Sequence, residues 1–382
     1  MLASINPPTA PADPSRFALF DLGFRPFYLL AGAYAALAVP LWSLQYAGWL
    51  PGADILWHAH EMIFGYAFAV IAGFLLTAVR VWTGRPTPTG AALAAIAALW
   101  LLARALALVS LPAAAAAGAV FAIAVAGGIG QPLIASGNRR NLFFIALVLA
   151  LGAASVALQT YPQLGIAIGL DVVLFVMAVV AGRVTPMFTN NGVRGAGARR
   201  NAVLERAALG SILLLIALDA FELAAMAAAV ALIAAALHAA RLALWNPHRT
   251  LRHPLVWILH ISYAWIVAHL LLRGLAGFGL VSVALATHAL TIGAIGGLTL
   301  GMMTRTALGH TARPLVAGRA ETAAYLLVQA AAVARVLVPL ALPAATVATS
   351  VAAALLWFAA FATFTVAYTP ILTRARLDGQ PG

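Results

Sequence analysis

The sequence predicts an all-α fold, a polytopic membrane bundle of about twelve transmembrane helices with both termini in the cytoplasm. Of the 382 residues, 64% are hydrophobic and only 8% are charged, and the mean hydropathy is +1.00. These values lie far outside the range of soluble domains. About 20 apolar residues cross the hydrocarbon core as a helix, and apolar windows of that length recur along the whole chain.

The twelve windows follow one another with short polar breaks. They cover residues 27–47, 55–79, 90–109, 113–135, 142–159, 164–185, 203–219, 222–244, 254–273, 276–303, 320–341 and 343–369. The break between the seventh and eighth windows depends on Asp219, Phe221 and Glu222 alone. No loop is long enough to fold by itself, so we expect residues 1–382 to form a single membrane domain. Residues 1–15 are polar and rich in proline, and we expect no cleavable signal there.

A weak internal duplication is suggested by the prolines that follow the sixth and twelfth windows, Pro186 and Pro370. The match would fit two six-helix halves of the same orientation, residues 1–190 and 200–382. Proline also commonly follows the end of any helix, and this simpler interpretation is favoured.

The basic residues predict the orientation. The chain contains 22 arginines and no lysine, and all the arginines except Arg104, Arg273 and Arg335 lie at one set of helix ends. Basic residues collect on the cytoplasmic side of a membrane protein, which places both termini in the cytoplasm. These cytoplasmic arginines also explain the net charge of +12, so nucleic acid is not an expected partner.

Two histidines and a carboxylate, His58, His60 and Glu61, open the second window. Ionisable groups at membrane depth are costly and usually functional. On a helix, residues two apart point about 200° away from each other, so we expect the two rings to face different partners. Glu61 would orient an imidazole or carry a proton, and the cluster could hold copper or complete a haem pocket. The alternative is that both rings bond only to loop carbonyls and water.

Depth along the helices suggests two layers of histidines. At about 1.5 Å per residue, His260 and His288 come within roughly 3 Å of one another in depth on consecutive helices. We therefore predict that these two ligate or flank one haem in an inner layer. His58 and His60 lie near the outer boundary, level with His269.

The segment 286–310 is also unusual. Gly293, Gly296, Gly297 and Gly301 form a small-residue track that permits close approach of a helix or a flat ligand, and helix packing is the commoner meaning. Met302 and Met303 follow, and methionines in apolar helices are mostly core filler. His310 lies just beyond the predicted cytoplasmic end, where a solvated side chain is expected.

Two further features limit the chemistry. The chain has no cysteine, so a transition metal would need histidine, methionine, carboxylate or a tetrapyrrole. Asp171 lies within the sixth window, and it could carry protons or pair with Arg104 or Arg335.

Several sequence motifs, spread over most of the chain, resemble those of the NnrS family. They are FDLGFRPF at 20–27, WHAHEM at 57–62, IAGFLLT at 71–77, WTGR at 82–85, GRVTPMFT at 182–189, Leu259 and His260 with Tyr263 and Trp265, HALT at 288–291, MMTR at 302–305 and GHT at 309–311.

The resemblance implies a bacterial inner-membrane protein that contains haem, of b type, and copper, and that is linked to nitric oxide metabolism or resistance to nitrosative stress. The family's motif histidines correspond to His58, His60, His260, His288 and His310. Of these, His58, His60, His260 and His288 are candidate cofactor ligands, and His58, His60, His288 and His310 are candidate metal ligands. The resemblance leaves open whether the protein is an enzyme, and it names no electron donor.

A second class of function fits the same residues. The histidine layers could form the translocation path of a metal-ion or small-solute transporter built from two six-helix halves. A redox-active Soret band in the purified protein would favour the haem hypothesis, and a colourless protein that binds only copper would favour transport.

The predicted topology can be tested with paired alkaline phosphatase and green fluorescent protein fusions. Fusions at Gly195 and Arg313 should report the cytoplasm, and fusions near Gly52 and Tyr161 should report the periplasm. A reversed result at any of the four positions would contradict the span count and the depth argument.

Overall fold

The computed structural model describes residues 15–52 and 54–380, and within these ranges the chain is helical without strands, apart from one isolated bridge between Phe17 and Arg374. The predicted absence of a signal concerns residues that lie almost wholly outside this part. The helices are α1 Phe24–Tyr46, α2 Ile55–Thr83, α3 Gly90–Leu106, α4 Leu111–Ala135, α5 Phe143–Ala157, α6 Pro162–Gly192, α7 Ala202–Ala220, α8 Ala224–Ala243, α9 Pro254–Gly277, α10 Val283–His310, α11 Arg319–Ala341 and α12 Thr346–Thr373.

The predicted all-helical membrane bundle is confirmed, and each of the twelve windows contains one helix of the described chain. Ten helical segments are long and apolar enough to cross a membrane. The exceptions are α3, which has 17 residues, and α7, whose 19 residues include Glu205, Arg206 and Asp219. The thin break after α7 is real, because Glu222 adopts a φ of 56° that ends the helix.

Three predicted boundaries were wrong. Helix α10 begins at Val283 and not at residue 276, because α9 continues to Gly277 and a turn follows it. Helices α6 and α12 do not end before Pro186 and Pro370 but continue through them. The two prolines therefore mark no helix end.

The described ends of the chain meet on one side of the bundle. Ala18 N–H donates to the Thr373 carbonyl at 2.7 Å, and Ala375 N–H donates to the Arg16 carbonyl at 3.0 Å. We call this side the terminal face, and the opposite side, where α2, α6 and α10 begin, the far face.

The glycine track of α10 serves helix packing. A Cβ atom at Gly293 would overlap Trp265 of α9, and one at Gly297 would overlap Ser262. On another side, Gly296 faces Trp357 of α12. The small residues bring α10 close to two helices, which confirms the packing interpretation and leaves no room for a flat ligand against them.

A buried charge network that the sequence did not predict joins α6, α7, α8 and α9 near the terminal face. Arg241, which is 1% exposed, donates to both carboxylate oxygens of Glu205 at 2.8 and 2.6 Å. It also donates to the Tyr263 hydroxyl at 2.8 Å, and that hydroxyl lies 2.6 Å from His238 Nδ1. Gly182 of α6 lies against the guanidinium, so its lack of a side chain is what admits Arg241.

A second network corrects the predicted partner of Asp171. Its carboxylate accepts from Arg273 Nη1 at 2.6 Å, whereas Arg104 and Arg335 lie elsewhere. Arg273 also donates to Asp219, so one guanidinium holds two carboxylates. Sequence distance could not select among three far-face arginines, because the choice depends on which helices are neighbours.

Replacing Gly182 with Ala should destabilise the protein, because the new Cβ would displace Arg241 from Glu205. We expect a loss of about 1–3 kcal/mol from overpacking, and more if the buried ion pair separates. The measurement is thermal unfolding in detergent. Gly210→Ala on α7 is the matched control, since nothing lies within 4 Å of its added Cβ. Equal effects of the two changes would contradict this role of Gly182.

Candidate functional site at the far face

A cavity of about 290 Å³ opens between six helices near the far face. We call it the far-face cavity. Most of its lining is apolar, from residues such as Val39, Ile63 and Trp357. The exceptions are a small set of polar or sulfur-containing side chains: Ser43, His58, Met62, Tyr66, Thr287, His288, Thr291, Arg335 and Ser350. An apolar cavity with a few convergent polar groups is the usual form of a ligand site.

His58 enters the cavity from the first turn of α2. Its ring stacks on Trp42 of α1, with centroids 4.0 Å apart and planes at 21°. His58 Nδ1 is buried and has no hydrogen-bond partner among the described residues. The same is true of His260 Nδ1 and His269 Nε2, but of these three residues only His58 lines the far-face cavity, so a ligand bound there could satisfy its ring. Met62 lies four residues further along α2 and lines the same cavity.

His288 enters the cavity from the first turns of α10. Its Nδ1 lies 2.7 Å from the carbonyl oxygen of Ala284, to which it can only donate. The remaining nitrogen, Nε2, then carries the lone pair that a metal or an acceptor role requires. The backbone thus fixes the tautomer that suits a ligand.

Three helices depart from α-helical geometry around this cavity. π-Helical segments occupy Glu61–Ala67 of α2, Ala289–Gly296 of α10 and Val333–Leu337 of α11. The first two begin within three residues of His58 and directly after His288, and the third contains Arg335. Such segments are rare and often mark functional sites. Their convergence on one cavity is the strongest sign that this is such a site.

Arg335 supplies the positive charge of the far-face cavity. Its side chain is 8% exposed and has no hydrogen bond or ion pair with any described residue. A guanidinium carries five N–H donors and stays charged, so a buried one without an acceptor suits an anionic group of a ligand.

His60 and Glu61 turn away from the cavity into a separate buried cluster. His60 Nδ1 lies 2.7 Å from Glu61 Oε1, and its Nε2 lies 3.0 Å from the Ser155 hydroxyl. Glu61 also accepts from the Tyr34 hydroxyl and lies 3.1 Å from Arg104 Nη1. The prediction that the two rings face different partners is confirmed, and so is the orientation of an imidazole by Glu61. Proton transfer by Glu61 stays a prediction.

The structure does not bring His260 and His288 together. His260 Nε2 lies 2.8 Å from the Thr189 hydroxyl, and the ring lies edge-on to Trp245. It is about 9 Å inside the terminal end of α9, whereas His288 is about 7.5 Å inside the far end of α10. The predicted match in depth was wrong because α10 begins at Val283, which moves His288 toward the far face. A haem-ligand role for His260 stays a prediction.

The remaining histidines lie outside the far-face cavity. His269 Nδ1 donates to the Ala286 carbonyl at 2.8 Å, near the far face as predicted. His310 lies at the terminal face, where its ring packs 5.6 Å from that of Phe24 and borders a second cavity. It is partly buried and not fully solvated. A ligand role for either stays a prediction.

The donor set of the far-face cavity fits some metal groups better than others. Nowhere in the described ranges do three or more His, Cys, Asp or Glu side chains come together as a metal site. The cavity offers two imidazoles and the thioether of Met62. This set could hold Cu(I), which accepts soft ligands, or could ligate a haem.

Comparison with known proteins adds the family. The family model described as NnrS protein matches residues 18–376. The chain belongs to the NnrS family. The resemblance seen in the motifs is thus confirmed over nearly the whole chain. No curated protein matches it.

Sequence reasoning missed several residues of the site in this NnrS protein. Met62 could have been found from the sequence, since it lies one helical turn from His58. Arg335 could have been recognised as one of three arginines at the far helix ends, but the sequence does not show that it lines this cavity. Trp42, which orients His58, could not have been found, because only the packing of α1 on α2 brings the two rings together.

Replacing Glu61 with Gln should destabilise the protein by about 3–5 kcal/mol, because Arg104 would remain buried without a counterion. Thermal unfolding in detergent measures this loss. Adding Arg104→Leu should recover part of it, since the unpaired charge is then removed. Glu222→Gln, at an exposed turn, is the control and should unfold like the parent. The same small shift in both single variants would contradict a structural role for the pair.

Proposed function

We propose that this NnrS protein is a haem- and copper-containing protein of the bacterial inner membrane that acts in nitric oxide metabolism or resistance to nitrosative stress. The far-face cavity is its working site, and His58 and His288 are its ligands. The observation that carries the proposal is the convergence of these two imidazoles, on two distorted helices, in one apolar cavity with an unpaired arginine.

The residues of the cavity suit distinct tasks. His58 and His288 would hold the metal centre, and Met62 adds a soft donor that favours copper. Arg335 would bind a carboxylate of the haem, which gives its charge a partner. When bound, haem and copper supply a site for a diatomic gas and one-electron chemistry that no side chain here can perform.

The surroundings of the ligands suit that use. Stacking on Trp42 restricts the His58 ring, and the Ala284 carbonyl restricts the His288 ring, so both are held before a ligand arrives. The mostly apolar lining suits a small uncharged ligand. Nitric oxide is small and uncharged, and it enters the bilayer without a polar path.

Orientation supports access from outside the cell. The arginine imbalance assigns the terminal face to the cytoplasm and the far face to the periplasm. Copper could then reach the far-face cavity without crossing the membrane. The electron donor and the product stay open.

The transport alternative receives less support. A small cavity of about 60 Å³ lies deeper in the bundle, and its lining is almost wholly apolar, with Val70, Phe74 and Met302 among its residues. An ion moving between the faces would lose its hydration there without compensation. This barrier favours a fixed metal centre over a translocation path.

The absorbance spectrum and metal content of the purified protein test the proposal. The parent should show a redox-sensitive Soret band that shifts when nitric oxide is added, and it should contain copper. His58→Ala and His288→Ala should each lose most of the haem, because each removes an imidazole from the cavity. His260→Ala should keep it, since that ring lies against Thr189.

Exposed His248 provides the control, and His248→Ala should match the parent in both measurements. A colourless parent, or full haem in both cavity variants, would overturn the assignment. Loss of haem in His260→Ala alone would instead support a centre nearer the terminal face.

A further inference from the structure

A second, larger cavity of about 740 Å³ lies at the terminal face. We call it the terminal-face cavity. It is bordered by the end of α6, the start of α9, the end of α10 and residues 315–317. The small apolar cavity lies between it and the far-face cavity. No residue lines both large cavities, so the terminal-face cavity is a separate feature of the fold.

The terminal-face cavity is cationic. Arg252, Arg305, His253 and His310 line it, and no aspartate or glutamate is among its described lining residues. Two guanidinium groups without a carboxylate oppose the binding of a metal cation and favour an anion.

Arg305 is the group that points to a ligand. Only 8% of its surface is exposed, and its Cζ atom lies 3.9 Å from the centroid of the Phe188 ring. Within the described part of the chain it forms no hydrogen bond and no ion pair, although it lines a polar cavity. Its guanidinium nitrogens are not fully enclosed by protein, and an anion in the cavity could accept from them in place of water.

The ends of the helices also contribute partial charges to the cavity, positive at the start of α9 and negative at the ends of α6 and α10. Helix α9 begins at Pro254 with its positive end at the cavity, and His253 gives it no side-chain cap. The carbonyl ends of α6 and α10 also border the cavity. The His310 carbonyl already accepts from Arg376 Nη1 at 3.2 Å, and helix ends carry only about half a charge, so the arginines dominate.

From this geometry we infer that the terminal-face cavity binds a phosphate group carried on a partly apolar molecule. Arg305 donates to the phosphate oxygens from the buried side, and Arg252 closes the exposed side. Leu315 and Val316, which are 48% and 72% exposed, border the opening and suit the apolar part of the ligand. The phosphate belongs either to an anionic phospholipid of the adjacent leaflet or to a soluble organic phosphate.

Two arms of one experiment distinguish these sources in purified, cofactor-loaded protein in neutral detergent. Native mass spectrometry measures retention of phosphatidylglycerol against phosphatidylethanolamine. Isothermal titration measures the binding of adenosine triphosphate and of inorganic phosphate. Preferential retention of phosphatidylglycerol identifies the lipid source, and saturable binding of adenosine triphosphate more tightly than of inorganic phosphate identifies a soluble organic phosphate. Either result supports the inference.

Variants connect the binding to the cavity. Arg305→Gln should weaken the binding about tenfold to a hundredfold, as expected for the loss of charge-assisted hydrogen bonds. Arg305→Lys should retain part of it, and Arg252→Gln, at an exposed position, should weaken it less. Arg319→Gln is the matched control, since it removes an exposed arginine of the same face that does not line the cavity.

The inference is overturned if neither arm detects binding in the parent protein, or if Arg305→Gln and Arg319→Gln weaken binding equally. It is also overturned if Arg305→Gln and Arg252→Gln lower haem content without affecting phosphate binding, because the cavity would then belong to the haem. The haem spectrum is recorded in every sample, so a failure here is separate from a failure of the proposed function.

Discussion

Charges buried inside an apolar bundle need partners, and this constraint organises the helices of the protein. An unpaired charge in such surroundings is worth several kcal/mol of lost stability, whereas hydrophobic contacts between helices discriminate little from contacts with lipid. Arg104 with Glu61, Arg241 with Glu205 and Arg273 with Asp171 each join different helices. These ion pairs select which helices become neighbours, and the glycines then set how closely they pack.

Because buried charges need partners, the two buried arginines that have no acceptor in the described part of the protein are informative. Arg335 and Arg305 are as buried as Arg104, yet neither has a protein acceptor among the described residues. Both line cavities, one at each face. Arg25 is also buried without a carboxylate partner, but its Nη1 donates to backbone carbonyls of residues 372 and 374. Arg335 and Arg305 have no such acceptor among the described residues, so a ligand's negative group could bind at each of them.

The two cavities differ in a way that separates their chemistry. The far-face cavity has imidazoles with a lone pair to offer, a thioether and one guanidinium in apolar surroundings. The terminal-face cavity has two guanidiniums and an open, more polar lining. The first suits a haem or copper centre that receives an uncharged gas, and the second suits an anion. The small apolar cavity between them opposes the passage of an ion.

The sequence by itself determined the all-helical membrane fold, the number of helices and the family, because composition, window length and contiguous motifs are local properties. It also predicted that His58 and His60 diverge, since helical geometry sets that angle. Only the tertiary structure decided that His58 shares a cavity with His288 and that Asp171 pairs with Arg273. Those outcomes depend on where helices start, where they become π-helical and which of them touch, and these follow from packing between residues far apart in the chain.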